Sequence, residues 1–126
     1  VKAFFVLPGQ ALVDLREELE IIENEEAGGT LERFGVRAGL GLVRTLGVEC
    51  EDVEGLRELL PQLWAETGLG RMELEEVSEG RIAVSFHESI EASHERRCDF
   101  ARGYLTGIVS SLAGRRYRGE EVGCIS

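Results

Sequence analysis

Cys98, Glu121 and Cys124 are the residues of this sequence whose types and spacing point to the most specific chemistry. Thiolate, carboxylate and thiolate all ligate zinc, and a helix opening at Cys98 followed by a returning strand would bring the three together. A closed structural zinc site normally has four ligands, and the spacing supplies no evident fourth. His94 precedes Cys98 by four residues and would share its face if the helix extends back that far; the other reading is a solvated loop histidine. Free cysteines also behave as small buried hydrophobes, so spacing alone leaves a metal site and three buried side chains both open. His87 follows Phe86 on the solvent-facing register of an expected strand and reads as a surface residue. Neither histidine has a Ser or Cys partner in a recognisable motif, so nucleophilic catalysis finds no foothold.

The glycines carry a second pattern. Gly35 and Gly39, and again Gly103 and Gly107, make two small-x-x-x-small faces on separate helical segments, as expected where two helices cross closely. No glycine run has the Lys-Ser/Thr ending or the strand-to-helix setting of a phosphate loop. The acidic residues between Glu17 and Glu26 read as the solvated face of a helix, not as a paired-carboxylate site.

The elements that must position these residues follow from the periodicity. Ala3-Phe4-Phe5-Val6-Leu7, closed by Pro8-Gly9, fits a short buried strand. Leu12, Leu15, Leu19 and Ile22 predict an amphipathic helix that ends before Gly28-Gly29, and Leu31, Phe34, Ala38, Leu42 and Leu46 predict a second, with Thr30 as its N-cap. Asp52 can cap a third helix through Leu56, Leu59, Leu60, Leu63 and Trp64, with a kink or break expected at Pro61. The period then falls to two: Met72 and Leu74, a turn at Ser78-Glu79-Gly80, and Ile82, Val84 and Phe86 predict a hairpin with one buried face. A polar connection over residues 89–97 leads to a fourth helix carrying Phe100, Tyr104, Ile108, Val109 and Leu112 and ending at Gly114, and residues 116–125 to a last strand. This order is not the regular alternation of a doubly wound sheet. It predicts an α+β fold, with an antiparallel sheet of about four strands packed against a helical layer.

Composition sets the class. A chain of 126 residues with 43% hydrophobic and 30% charged residues has the make-up of one globular domain, spanning 1–126. A net charge of −10 opposes binding to nucleic acid or to anionic membrane surfaces. No apolar run approaches the roughly 18 residues of a membrane span. Three cysteines, an odd number, do not look like a disulfide framework, and the expectation is a cytoplasmic protein with reduced thiols or a metal.

The segment Cys98-Asp-Phe-Ala-Arg-Gly-Tyr-Leu-Thr-Gly-Ile-Val-Ser-Ser-Leu-Ala-Gly114, with Glu120-Glu121-Val-Gly-Cys124 after it and Leu31-Glu-Arg-Phe-Gly-Val-Arg-Ala-Gly39 before it, resembles the 4-vinyl reductase domain family. So does the stretch from Pro61 to Gly70 leading into a hairpin. That family is similar in fold to trafficking subunits of the Golgi transport-particle complex. The resemblance implies an α+β domain that binds small hydrophobic molecules, hydrocarbon or aromatic, and is commonly a dimer. It also implies zinc: sensor members hold the ion by residues matching Cys98, Glu121 and Cys124 and by a further Cys, which here would lie beyond Ser126. No redox-cofactor motif is visible to support the reductase name.

The expected function is therefore a small hydrophobic-ligand-binding module, a sensor domain by resemblance, and more a binding protein than an enzyme. Phe34, Trp64, Phe86, Tyr104 and Ile108 are the candidates for the pocket lining, being large and on predicted inward faces; the other reading of them is plain core. The alternatives are a dimerising scaffold of the trafficking type and an accessory in tetrapyrrole vinyl reduction. A homodimer formed through helices is expected, because the apolar helical faces exceed what one small sheet can cover.

Overall fold

The computed structural model of the chain describes residues 7–48, 50, 53–78, 81–87, 98–114 and 117. In order they form α1 (Gln10–Glu23), a 3-10 turn (Asn24–Glu26), α2 (Ala27–Leu46), α3 (Val53–Thr67), β1 (Arg71–Val77), β2 (Ile82–His87) and α4 (Asp99–Ala113). The class is α+β. Two antiparallel strands are present among the described residues, so a four-strand count is not supported. The strands expected at 3–7 and 116–125 fall almost wholly outside the described residues, as do the 89–97 connection and His94.

The first helical boundary differs from the sequence expectation. α1 stops at Glu23, where Asn24 turns the chain with φ of 56°, and α2 begins at Ala27 and runs straight through Gly28 and Gly29. Thr30 is not its N-cap; its hydroxyl instead donates to the Glu23 carboxylate at 2.6 Å, tying the two helices across the turn. A Cβ at position 28 would sit 2.7 Å from Oδ2 of Asp99, so glycine there gives that carboxylate room.

The largest helix contact is between α2 and α4. The face that α2 buries is Ala27, Leu31, Gly35, Gly39 and Val43; of the expected stripe Leu31 is buried and Leu42 and Leu46 pack against the core, while Phe34 is exposed. On α4 the matching positions are Gly103 and Gly107, both buried. A Cβ on Gly35 would lie 2.6 Å from the Phe100 carbonyl oxygen, and Cβ atoms on Gly39, Gly103 and Gly107 would collide with the carbonyl oxygens of Tyr104, Glu32 and Val36. The two backbones are therefore in van der Waals contact, and this contact offsets the roughly 1 kcal/mol that each helical glycine costs relative to Ala.

α3 is one continuous helix with Pro61 inside it. Proline removes the hydrogen bond to the carbonyl four residues back, and the burial of Leu56, Leu60, Leu63 and Trp64 on one face outweighs that loss. Thr67 closes the helix, its hydroxyl donating to the Trp64 carbonyl at 2.7 Å and accepting from the Leu69 N–H at 3.2 Å. β1 then pairs with β2 in the register Met72↔Phe86, Leu74↔Val84 and Val77↔Ile82, with an irregularity between Leu74 and Glu76. The extra residue shifts the side-chain alternation by one. Met72 and Val77, five apart and so of opposite parity, thereby both face the core. The main core joins Leu60, Trp64, Met72, Ala101, Ile108 and Leu112, drawn from α3, the hairpin and α4.

Two glycines on α2 should respond oppositely to the same substitution. Gly39→Ala forces the α2 and α4 backbones apart and is expected to cost about 3 kcal/mol or more. Gly41 has nothing within 4 Å of its would-be Cβ, so Gly41→Ala should stabilise by up to about 1 kcal/mol through helix propensity. Urea unfolding of the two variants reads both signs.

Candidate functional site

α4 supplies two chemistries, one at its first turn and one along its length. Asp99 stands in the first turn, where a helix N-terminus favours negative charge. It is 5% exposed, and it accepts from Arg16 Nη2 at 2.9 Å on Oδ2 and from Arg102 Nη2 at 2.8 Å on Oδ1. Arg102 also donates to Glu32 Oε2 at 2.9 Å. Burial alone would push the Asp99 carboxyl up; hydrogen bonds from Arg16 and Arg102 outweigh that and hold it below the ordinary aspartate value. The hydrogen bond to Glu32 raises Arg102 in turn. Because Arg16 lies on α1 and Glu32 on α2, the cluster fastens three helices at one point.

Along α4, Phe100, Tyr104 and Ile108 follow one another at four-residue spacing and so lie on one face. Tyr104 and Phe100 stack with centroids 5.2 Å apart, Tyr104 meets Trp64 at 5.9 Å, and Trp64 stacks on Phe86 at 4.9 Å with planes 24° apart. α3, β2 and α4 thus each contribute a ring to a continuous aromatic cluster. Phe34 joins only at its far end, 5.7 Å from Phe100. It is 52% exposed, contrary to the inward face expected of it, because the glycines of α2 occupy the contact with α4. Ile108 is wholly buried beneath the cluster. Phe100 was not among the expected lining residues; its spacing of four from Tyr104 is the signal that would have found it.

Trp64 is the singular member. It is 1% exposed, and its indole Nε1 has no hydrogen-bond partner among the described residues. A buried unsatisfied donor costs about 1–3 kcal/mol, and indole nitrogen can only donate. The Tyr104 hydroxyl, raised by burial, stays neutral well above physiological pH. His87 Nε2 is also buried without a hydrogen bond, although the Glu73 carboxylate lies 3.5 Å away. Strand alternation puts it on the opposite face from Phe86, but it is half-buried rather than the surface residue expected.

Of the three zinc candidates, Cys98 is the N-cap position of α4 and is 5% exposed. Glu121 and Cys124 lie outside the described residues. Among the described residues no three His, Cys, Asp or Glu side chains are grouped as metal ligands, and no helix is long and apolar enough to cross a membrane.

With this geometry in hand, comparison with solved structures finds the phenol-responsive sensory domain of the transcription activator PoxR, crystallised with phenol. The two chains are 26% identical, the match covers 96% of this chain and 69% of that one, and the TM-score is 0.77. No protein-family model matches the chain, and no curated protein does. The α+β architecture is thus shared with that domain over nearly the whole of the present sequence.

The ionic cluster makes a prediction about asymmetry. Asp99→Ala leaves the buried Arg16 guanidinium without this carboxylate and should cost about 3 to 5 kcal/mol. Arg16→Met leaves Asp99 still bonded to Arg102 and should cost less than half as much. Equal losses in denaturant titrations of the two variants would show that Arg102 does not compensate.

Proposed function

We propose that this chain is a small-molecule-binding sensory module of the 4-vinyl reductase type, and that its ligand is a small hydrophobic aromatic compound such as phenol. The observation that carries this reading is the orphaned Trp64 N–H, enclosed in a cluster with Phe86 and Tyr104. Such sites combine an apolar lining with a few placed polar groups. A ligand whose ring packs in the cluster and whose oxygen accepts from Nε1 would satisfy that donor. The likeness to a phenol-responsive domain supports the same ligand class.

Trp64 is the chain's single tryptophan, so its fluorescence reports the site directly. Phenol should change it saturably, and ligand at a hundredfold excess over Kd should stabilise the fold by about 2.7 kcal/mol. Trp64→Phe keeps a ring and removes the donor, and calorimetry should find phenol binding weakened about tenfold, the worth of one hydrogen bond. No response in fluorescence or melting across phenol, larger aromatics and fatty acids would overturn the sensor reading in favour of a scaffold.

Zinc belongs to the same reading. Cys98, Glu121 and Cys124 have the donor chemistry for it, and Cys98 is buried where α4 begins. Zinc held there would fasten the segment after α4 to the start of that helix, so its binding energy would be folding energy. Protein purified without a histidine tag should then carry near-stoichiometric zinc, and Cys98→Ser should lose both the metal and stability beyond the roughly 1–3 kcal/mol of burying a hydroxyl. Metal-free protein whose melting is unchanged by chelator would remove zinc from the account.

A further inference from the structure

α1 has one face that the fold uses and one that it does not. Its buried side chains are Val13 and Arg16, the second bonded to Asp99. Asp14, Leu15, Glu17, Glu18, Ile21 and Ile22 are exposed, and at 3.6 residues per turn they share about 160° of the helix circumference. Ile21 and Ile22 are 75% and 76% exposed. Single apolar residues at a surface are ordinary. Two adjacent isoleucines, with Leu15 two turns before the second, are a patch, and they neither favour a helix nor join the core. The charges among them have one sign. Arg16 is the one basic residue of α1, and it is turned inward. Asp14, Glu17 and Glu18, with the exposed Glu25 and Glu26 of the 3-10 turn, have no ion-pair partner among the described residues.

We propose that this face of α1 docks a cationic amphipathic helix of a different protein, whose apolar residues cover Leu15, Ile21 and Ile22 and whose lysines or arginines meet the acids between them. Charge selects the occupant. On a chain of net charge −10 an acidic face repels nucleic acid and anionic lipid, and it repels the same face of another copy. A basic partner is attracted both by the local acids and by the chain as a whole, which speeds its encounter and fixes its register. The apolar residues then supply what charge alone does not, an area removed from water on contact. A helix suits the surface because the rows of side chains three and four apart on α1 form grooves that accept the same rows of another helix. Docking at this face does not require a ligand in the aromatic cluster, whose residues lie on α3, β2 and α4.

Two labelled synthetic peptides test it by fluorescence anisotropy with the full chain. One is a Leu/Lys helix about as long as α1, with its leucines in one stripe; the other has the same composition in scrambled order. The striped peptide should bind saturably at micromolar concentration, and the scrambled one at least about tenfold more weakly, because only the first presents an apolar face. Asp14→Lys with Glu18→Lys should weaken the striped peptide at least about tenfold, and Ile21→Gln with Ile22→Gln should do the same through lost apolar area. All four side chains are exposed, so the variants keep the fold, and melting curves check this. Glu58→Lys with Glu66→Lys changes net charge equally at exposed positions of α3, which does not touch α1; binding should stay within about threefold, since distant charges are screened. Equal binding of the two peptides, or an α3 variant weakened as much as the α1 variant, would reduce the attraction to net charge and overturn the proposal. So would absence of binding, or sedimentation showing a dimer of the unaltered protein that the α1 substitutions break, which would give the face to a second copy.

Discussion

The α2/α4 crossing leaves room for nothing larger than hydrogen at four positions, and the rest of the structure is arranged around that contact. With Gly35 and Gly39 set against the backbone of α4, and Gly103 and Gly107 set against α2, the helix axes are closer than any pairing of larger residues would allow. Close approach fixes rotation as well as distance. The face of α2 that meets α4 is dictated by its glycines, so Phe34 is turned outward and Leu31 and Val43 inward. On α4, Ile108, Val109 and Leu112 are left directed at α3 and the hairpin, where the main core forms.

The ionic cluster at the start of α4 depends on the same crossing. Asp99 approaches α2 so nearly that a Cβ at position 28 would crowd its Oδ2 at 2.7 Å, and Arg102 spans from Asp99 to Glu32 across the two helices. Buried ion pairs contribute little net stability compared with apolar packing, but breaking one is costly. Here the pair joins α1 to α4, bringing the buried Arg16 guanidinium to the Asp99 carboxylate.

The aromatic face of α4 adjoins its glycine face. The residues that cannot be glycine, Phe100 and Tyr104, project towards Trp64 and Phe86, so the helix that is locked to α2 by one face offers an aromatic lining on another. A rigid mount keeps these rings in register, because a ring displaced by an ångström loses its stacking geometry. Among the described residues the Trp64 indole N–H is unmatched, a local cost of a kind that native interiors seldom carry.

The sequence by itself determined the elements and several of their ends. Helical periodicity marks α3 and α4, alternation marks the hairpin, and Gly114, with φ of 68°, terminates α4 where expected. The paired glycine faces also announced a close helix crossing before any coordinates. Hydropathy turns Leu31, Leu42 and Leu46 of α2 towards the interior, as found, but also Phe34, because it measures what a face would gain from leaving water, and a face containing glycine gains little while still being the one that fits. Likewise Gly28-Gly29 read as a helix end, since nothing local reveals that Asp99 needs the space. Tertiary structure alone decided that Arg16 is buried, since its partner lies 83 residues away. It alone decided that Trp64 meets Phe86 and Tyr104 with its N–H unmatched, because contacts between distant segments depend on packing that no single segment encodes.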